Sequence, residues 1–89
     1  MFDFRRAGIK KGSIILSSIT GESAVVYDSK RVIFRGQVVS LTGGATKILR
    51  ESGRNWKAVQ GPRFWLYNKQ RLDRVKIRPE GNEAQRHTQ

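Results

Sequence analysis

The alternation of apolar and polar residues in the first part of the chain predicts three β-strands. Residues 13–18 (SIILSS) and 23–28 (SAVVYD) are rich in β-branched side chains, and the glycine-containing turn between them predicts a hairpin. Residues 31–36 (RVIFRG) follow after a short turn, and their alternation places Val32 and Phe34 on one face of a third strand. Together these segments predict an antiparallel meander.

After Gly36 the period of the pattern changes from that of a strand to that of a helix. One stripe at helical spacing comprises Leu41, Ala45, Ile48, Leu49 and Ser52. Ser40 can cap the unpaired amides of the first turn, and Gly53 is a typical C-terminal stop. The opposite side carries Lys47 and Arg50, with Arg54 just beyond the end. The pattern therefore predicts a helix with its apolar side inward and its charge outward.

The last third of the pattern predicts a closing hairpin. Residues 64–67 (FWLY) read as an aromatic strand and residues 68–70 (NKQ) as a turn. In the following RLDRVKIR, alternation predicts a strand with Val75 and Ile77 on one face. The other face of that strand would carry Arg74, Lys76 and Arg78.

The order of these elements predicts an α+β fold, in which a small antiparallel sheet (meander plus closing hairpin) is covered by one main helix. Phe2, Phe4 and Ile9 are expected to anchor the N-terminal segment, as a short helix or an extended arm, over one edge of the sheet. Residues 1–78 would form the single domain. Pro79 cannot continue a central strand, and the polar, aperiodic residues 79–89 are expected to be a disordered tail.

Composition narrows the class of protein. The chain has 89 residues, of which 37% are apolar, enough for one modest core. It has no cysteine, so it can form neither a disulfide framework nor a thiolate metal site. No apolar run has the length of a membrane span, and the first residues do not resemble a signal peptide. We therefore expect a cytoplasmic protein.

Positive charge is the strongest feature of the composition. Eighteen Lys and Arg residues against seven Asp and Glu residues give a net charge of +11. The net charge is +4 in residues 1–45, +8 in residues 46–78 and −1 in residues 79–89. The excess thus lies in the predicted fold rather than in a tail. A field of this sign attracts polyanions, although a merely solvated basic face is the alternative interpretation.

The central segments resemble a known family. The order of VIFRG, SLTGGA, RNW and QGPRFWLY, between Val32 and Leu72, is similar to RAMA-type domains, which are small modules associated with restriction enzymes and adenine methylases. The chain has SLTGGA where that family favours a Ser-Pro-Ser-Ala-Ala-like entry to its helix, and QGPRFW where it favours Asn-Gly-Trp. The resemblance implies DNA binding, with a possible role in sensing modified DNA.

Several residues have a structural as well as a functional interpretation. Trp56 and Trp65 could stack on bases, with Tyr67 beside them, but tryptophans in so small a domain more often anchor the core. Ser40 fits a helix cap better than a nucleophile. The amides near Gly43 and Gly44 could hold a phosphate at the helix start, although close helix packing explains these glycines equally well and the segment does not match a Walker loop.

The sequence argues against catalysis. The only histidine, His87, lies in the predicted tail, and the acidic residues show no paired spacing for acid–base chemistry. Convergence of Asp28 and Asp73 in space stays open at this point. No cluster of metal ligands is present in the sequence pattern, and no cofactor is expected.

These observations predict a non-catalytic nucleic-acid-binding module that prefers double-stranded DNA. Basic side chains would neutralise phosphates, and the loop between the helix and the aromatic strand would supply any readout of base or shape. The expected contacts are Lys47, Arg50, Arg54, Trp56, Lys57, Arg63, Arg74, Lys76 and Arg78. One alternative is a small phage-type inhibitor, anti-restriction or anti-CRISPR, that binds a host protein through its basic face. The other is an RNA-binding protein.

Overall fold

The computed structural model describes residues 2–77 and has the predicted α+β architecture. Its six-stranded antiparallel sheet has the order β4-β3-β2-β1-β5-β6, and a single α-helix covers one face of it. The elements are β1 Ile14–Ser17, β2 Ser23–Val26, β3 Arg31–Phe34, β4 Gln37–Ser40, α1 Leu41–Glu51, a first 3₁₀ helix Gly61–Phe64, β5 Trp65–Tyr67, β6 Gln70–Arg71 and a second 3₁₀ helix Leu72–Arg74. The predicted disordered tail, residues 79–89, lies outside the described residues.

The core lies between α1 and the inner face of the sheet. Alternate residues of the first three strands point inward, so Ile15, Val26 and Phe34 are buried. From the other side the helix contributes the first four residues of the predicted stripe, all of them buried. Ser52, the fifth member, was predicted wrongly. It is exposed at the helix C-cap, because its hydroxyl donates to the Leu49 carbonyl oxygen at 2.9 Å instead of entering the core.

Strand β4 was not predicted, because its two adjacent valines break the alternation that identifies a half-buried strand. It forms a hairpin with β3 through a turn at Arg35 and Gly36, whose φ angles are 53° and 79°. Positive φ at both positions is the geometry of the tight turns that match the twist of paired strands. Ser40 ends this strand and also caps α1, so strand and helix follow one another directly.

The strand predicted over RLDRVKIR is wrong beyond Arg71. Strand β6 holds only two residues, after which the chain turns into the second 3₁₀ helix and buries Leu72 completely. Val75 and Ile77 do pack against the core, as the alternation indicated, while Lys76 is exposed. The alternation at residues 75–77 therefore comes from an extended segment that packs on the core without pairing in the sheet.

The N-terminal segment is anchored by the residues that the sequence indicated. Phe2, Phe4 and Ile9 belong to the core, and the two phenylalanine rings meet edge to face with centroids 5.0 Å apart. The amide of Phe4 donates to the Ser29 carbonyl oxygen at 2.7 Å. This contact places the segment against the β2–β3 turn, at the end of the strands, whereas the edges of the sheet are β4 and β6.

Candidate nucleic-acid interface

The predicted contact residues of the helix and the following loop are exposed to solvent. Lys47 and Arg50 project from the outward side of α1, because their neighbours Ile48 and Leu49 occupy the buried stripe. Residues 52–60 connect α1 to the first 3₁₀ helix and are exposed except for Val59, which is half-buried. This loop carries three of the predicted contacts, Arg54, Trp56 and Lys57.

The first 3₁₀ helix is held against the beginning of α1 by an unusually close approach. A Cβ atom on Gly61 would lie only 2.4 Å from the Thr42 backbone nitrogen, so no larger residue fits without displacing backbone. The indole Nε1 of Trp65, the residue directly after this 3₁₀ helix, donates to the Leu41 carbonyl oxygen at 3.1 Å and ties β5 to the beginning of α1 as well. These contacts hold Arg63, in the first 3₁₀ helix, beside α1, where it is exposed to solvent.

Trp56 is the exposed aromatic residue of the loop. This residue is 51% exposed, and its ring contacts the Phe64 ring with a centroid distance of 5.8 Å. The Arg54 guanidinium carbon lies 5.9 Å from the same ring, within the range of a cation–π interaction. The loop therefore presents an aromatic surface next to cations, supported from beneath by the first 3₁₀ helix.

The second 3₁₀ helix extends the basic region, because it contacts the first. The pKa of Asp73, between them, is lowered chiefly by hydrogen bonds from Arg71 and further by the charges of Arg74 and Arg63. Both of these arginines are thus near one carboxylate. Lys76 is exposed beyond them, whereas Arg78 lies outside the described residues. We use the name basic surface for Lys47, Arg50, Arg54, Lys57, Arg63, Arg74 and Lys76.

Most of the carboxylates in the described chain are engaged by three other arginines. Arg35 binds Glu22 and Glu51, each at 2.7 Å, and its hydrogen bonds are the main cause of the lowered pKa of both carboxyls.

Arg31 and Arg71 pair with Asp28 and Asp73 in the same way, also at 2.7 Å, and lower the pKa of their partners. The residues of the basic surface form no ion pair within residues 2–77. Their charge is consequently available to an external anion.

Other candidate positions have structural roles. The Ser40 hydroxyl accepts a hydrogen bond from the Gly43 amide at 2.9 Å, which is the predicted cap. A Cβ on Gly44 would lie 3.0 Å from Cζ2 of Trp65, so close packing accounts for this glycine. Trp65 is fully buried and Tyr67 is half-buried, packed against the core.

Asp28, which follows β2, and Asp73, which follows β6, do not form a shared site, because β1 and β5 lie between those two strands in the sheet. Across residues 2–77, no three His, Asp or Glu side chains are grouped closely enough to hold a metal ion. Sequence reasoning missed Gly61 and the two-carboxylate role of Arg35. The glycine before Pro62 was the only signal for the close approach, and the partners of Arg35 are too distant in sequence to be paired by pattern.

Comparisons with models of known families, with curated proteins and with solved structures gave no match for this chain. Within the part of the chain that the structure describes, no helix combines the length and apolar character needed to cross a membrane. The function of this chain is therefore inferred from its own geometry and charge.

Proposed function

We propose that the chain is a non-catalytic module that binds nucleic acid, preferentially double-stranded DNA, through the basic surface. The observation that carries the proposal is which of the charges are paired. Four carboxylates are engaged by Arg31, Arg35 and Arg71, whereas the exposed cations of α1, the loop and the 3₁₀ helices have no carboxylate bound to them. Binding of a polyanion to a surface of this kind is favourable because it releases the counterions condensed on the polyanion.

In the proposed mechanism the cations position the module and the loop reads the nucleic acid. Lys47 and Arg50 on the rigid helix, with Arg63 on the first 3₁₀ helix, hold phosphates at fixed spacings and so set the register. Trp56 and its flanking residues project from this frame toward the grooves. The role needs binding alone, so the proposal includes no cofactor or metal.

The proposal also covers the biological setting. The resemblance of residues 32–72 to RAMA-type domains supports a bacterial or phage role connected with restriction–modification, including recognition of modified DNA. That setting is cytoplasmic, which agrees with a sequence free of cysteine.

Direct titration distinguishes the proposed target from its alternatives. Fluorescence anisotropy with duplex DNA, single-stranded DNA and duplex RNA of equal length, at one salt concentration, should give the tightest binding for duplex DNA. A duplex with N6-methyladenine would test recognition of modified DNA. A preference for RNA would favour the RNA-binding alternative. Failure to bind any of them at low salt would contradict the proposal and favour the inhibitor of a host protein.

A further inference from the structure

A cleft lies between the N-terminal segment and the turn that joins β2 to β3. Its volume is about 360 Å³, at the small end of the range for ligand sites. The cleft is lined by Phe4, Arg5, Ile9, Lys11, Tyr27, Asp28 and Ser29. We name it the N-terminal cleft. None of its lining residues belongs to the basic surface.

Backbone hydrogen bonds hold the walls of the N-terminal cleft in place. The amide of Phe4 donates to the Ser29 carbonyl oxygen at 2.7 Å, and the amide of Gly12 donates to the Val26 carbonyl oxygen at 2.8 Å. The N-terminal segment is thus tied at two points to the end of β2 and to the turn that follows it. Phe4 and Ile9 line the cleft and are themselves buried in the core. The fold therefore shapes the cleft without the help of a ligand.

The charged groups that line the N-terminal cleft leave it positive. Arg5 and Lys11 are exposed and form no ion pair within residues 2–77. Asp28 is the one carboxylate among the seven lining residues, and it accepts hydrogen bonds from the Arg31 guanidinium and from the amides of Lys30 and Arg31. These bonds, above all the one from the Arg31 side chain, lower the pKa of Asp28. Its negative charge is therefore compensated, whereas the two cations of the lining are not paired.

An aromatic ring lies beside these cations. Tyr27 is 37% exposed, and the Lys11 ammonium nitrogen lies 5.7 Å from the centroid of its ring. The Arg31 guanidinium carbon lies 5.3 Å from the same centroid. Both distances are within the range of a cation–π interaction. The cleft thus brings a partly exposed aromatic ring and positive charge within reach of one small molecule.

This combination selects the chemistry of the ligand. An inorganic anion would neutralise Arg5 and Lys11 but would leave the Tyr27 ring unused, and an uncharged aromatic molecule would leave the two cations unpaired. A nucleotide carries both groups, because its phosphate pairs with basic side chains and its base stacks on an aromatic ring. A single sugar joins the phosphate to the base, which suits a cleft in which cation and ring are neighbours.

We propose that the N-terminal cleft binds a nucleoside monophosphate unit, with the phosphate held by Arg5 and Lys11 and the base stacked on Tyr27. The unit is either a free mononucleotide or the phosphorylated end of a nucleic-acid strand. This site is additional to the proposed DNA-binding surface and does not depend on it.

The N-terminal cleft and the loop of the basic surface lie at opposite ends of the strands. Arg31, next to the cleft, is opposite Ser40 in the sheet, and α1 begins directly after Ser40. The helix then runs to Glu51, which is bound by Arg35 at the other end of β3. The loop that follows α1 therefore begins at the end of the sheet remote from the cleft. Variants in one site can consequently serve as controls for the other.

Titration of the isotope-labelled full chain with AMP, followed by amide NMR spectra, tests the proposal. We expect AMP to shift the amide signals of Arg5, Lys11 and Tyr27, and to bind more tightly than either adenosine or inorganic phosphate. Tyr27→Thr keeps a residue suited to extended backbone but removes the ring, so it should weaken AMP binding by about tenfold. Lys11→Gln should also weaken it. The matched control Lys10→Gln, which lies outside the lining, should have a much smaller effect.

A second titration identifies the source of the nucleotide. A short single strand with a terminal phosphate is compared with the same strand without it. Shifts at the cleft that require the terminal phosphate support the strand end, and shifts with AMP alone support the free nucleotide.

Three results would overturn the proposal. The first is AMP binding no tighter than that of inorganic phosphate, and the second is a set of AMP-induced shifts confined to α1 and the loop. The third is natural affinity for AMP in both Tyr27→Thr and Lys11→Gln. Duplex binding by Tyr27→Thr reports separately on the DNA-binding proposal, because Tyr27 is not part of the basic surface.

Discussion

The two tryptophans have opposite surroundings, although both lie in the aromatic part of the sequence. Trp65 is fully buried, meets the Phe34 ring edge to face at 5.5 Å and donates to a backbone carbonyl of α1. Trp56 lies in the exposed loop and contacts Phe64 and Arg54. The structure thus gives Trp65 a role in the core and leaves the Trp56 ring exposed, as the proposed interface needs.

Substitution of the two tryptophans should separate stability from binding. Trp65→Ala should lower the free energy of unfolding by about 3–5 kcal/mol, a large part of the stability of a small domain. Trp56→Ala should remain folded and bind duplex DNA more weakly, because it removes the exposed ring that lies beside the Arg54 guanidinium, with partial recovery in Trp56→Phe. Thermal denaturation and anisotropy on the same samples measure both effects. Unchanged binding by folded Trp56→Ala would contradict the recognition role.

Sequence could distinguish these tryptophans because their neighbours differ in kind. Trp65 stands in an aromatic, extended run, whereas Trp56 stands between Asn55 and Lys57. The sequence could not reveal that Gly61 must approach the backbone at Thr42, because that requirement arises only when two segments meet in three dimensions.

At the scale of elements, Arg35 joins three parts of the fold. It occupies the turn between β3 and β4, and its guanidinium binds Glu22 in the β1–β2 turn and Glu51 at the end of α1. Its hydrogen bonds lower the pKa of both carboxyls in the folded state. The clamp is exposed to solvent, so salt and water reduce what it contributes.

This clamp predicts a specific loss of stability in acid. Because both glutamates have a folded-state pKa below the ordinary value of 4.5, their contribution is complete above that pH. It should be lost as the pH falls through the lowered pKa values, where protonation breaks the pairs with Arg35. Denaturant titrations should therefore show a smaller decrease in stability between neutral and acid pH for Arg35→Gln than for the natural chain. Equal decreases would contradict the role of the clamp.

The elements that were predicted well from the sequence are those in which exposed and buried residues alternate with a regular period. Strands β1 to β3 and α1 expose and bury their residues with clear periods, and they were predicted nearly to their ends. Strand β4 was missed because it is an edge strand with an irregular pattern. The closing strand was extended too far because an unpaired extended segment on the core has the same alternation as a strand.

At the scale of the whole molecule, the two sides have different chemistry. The side with α1 and the 3₁₀ helices carries the basic surface, whereas the sheet face that α1 does not cover exposes aliphatic side chains such as Ile14, Leu16 and Val38. Seven exposed cations without an ion pair lie on the first side, which supports its proposed role as the surface for a polyanion.

The basic surface should act as one continuous region. Lys47→Glu/Arg50→Glu in α1 and Arg63→Glu/Arg74→Glu in the 3₁₀ helices should weaken duplex binding by similar factors, because both pairs would meet the same DNA. Combining them should nearly abolish binding, whereas the control Arg86→Glu, in the tail segment, should change it little. Circular dichroism checks that each variant is folded. Full affinity in folded Arg63→Glu/Arg74→Glu would restrict the interface to α1 and the loop.

The most direct test of the nucleic-acid interface is the salt dependence of duplex DNA affinity. If side chains of the basic surface neutralise phosphates, log affinity should fall linearly with log salt concentration, with a slope of about −0.9 for each phosphate contacted. Arg50→Gln and Lys57→Gln should each reduce the steepness by about 0.9, while Lys30→Gln, at the β2–β3 turn, should leave it unchanged. A slope near zero, or equal slopes for all three variants and the natural chain, would contradict the interface proposed for this protein.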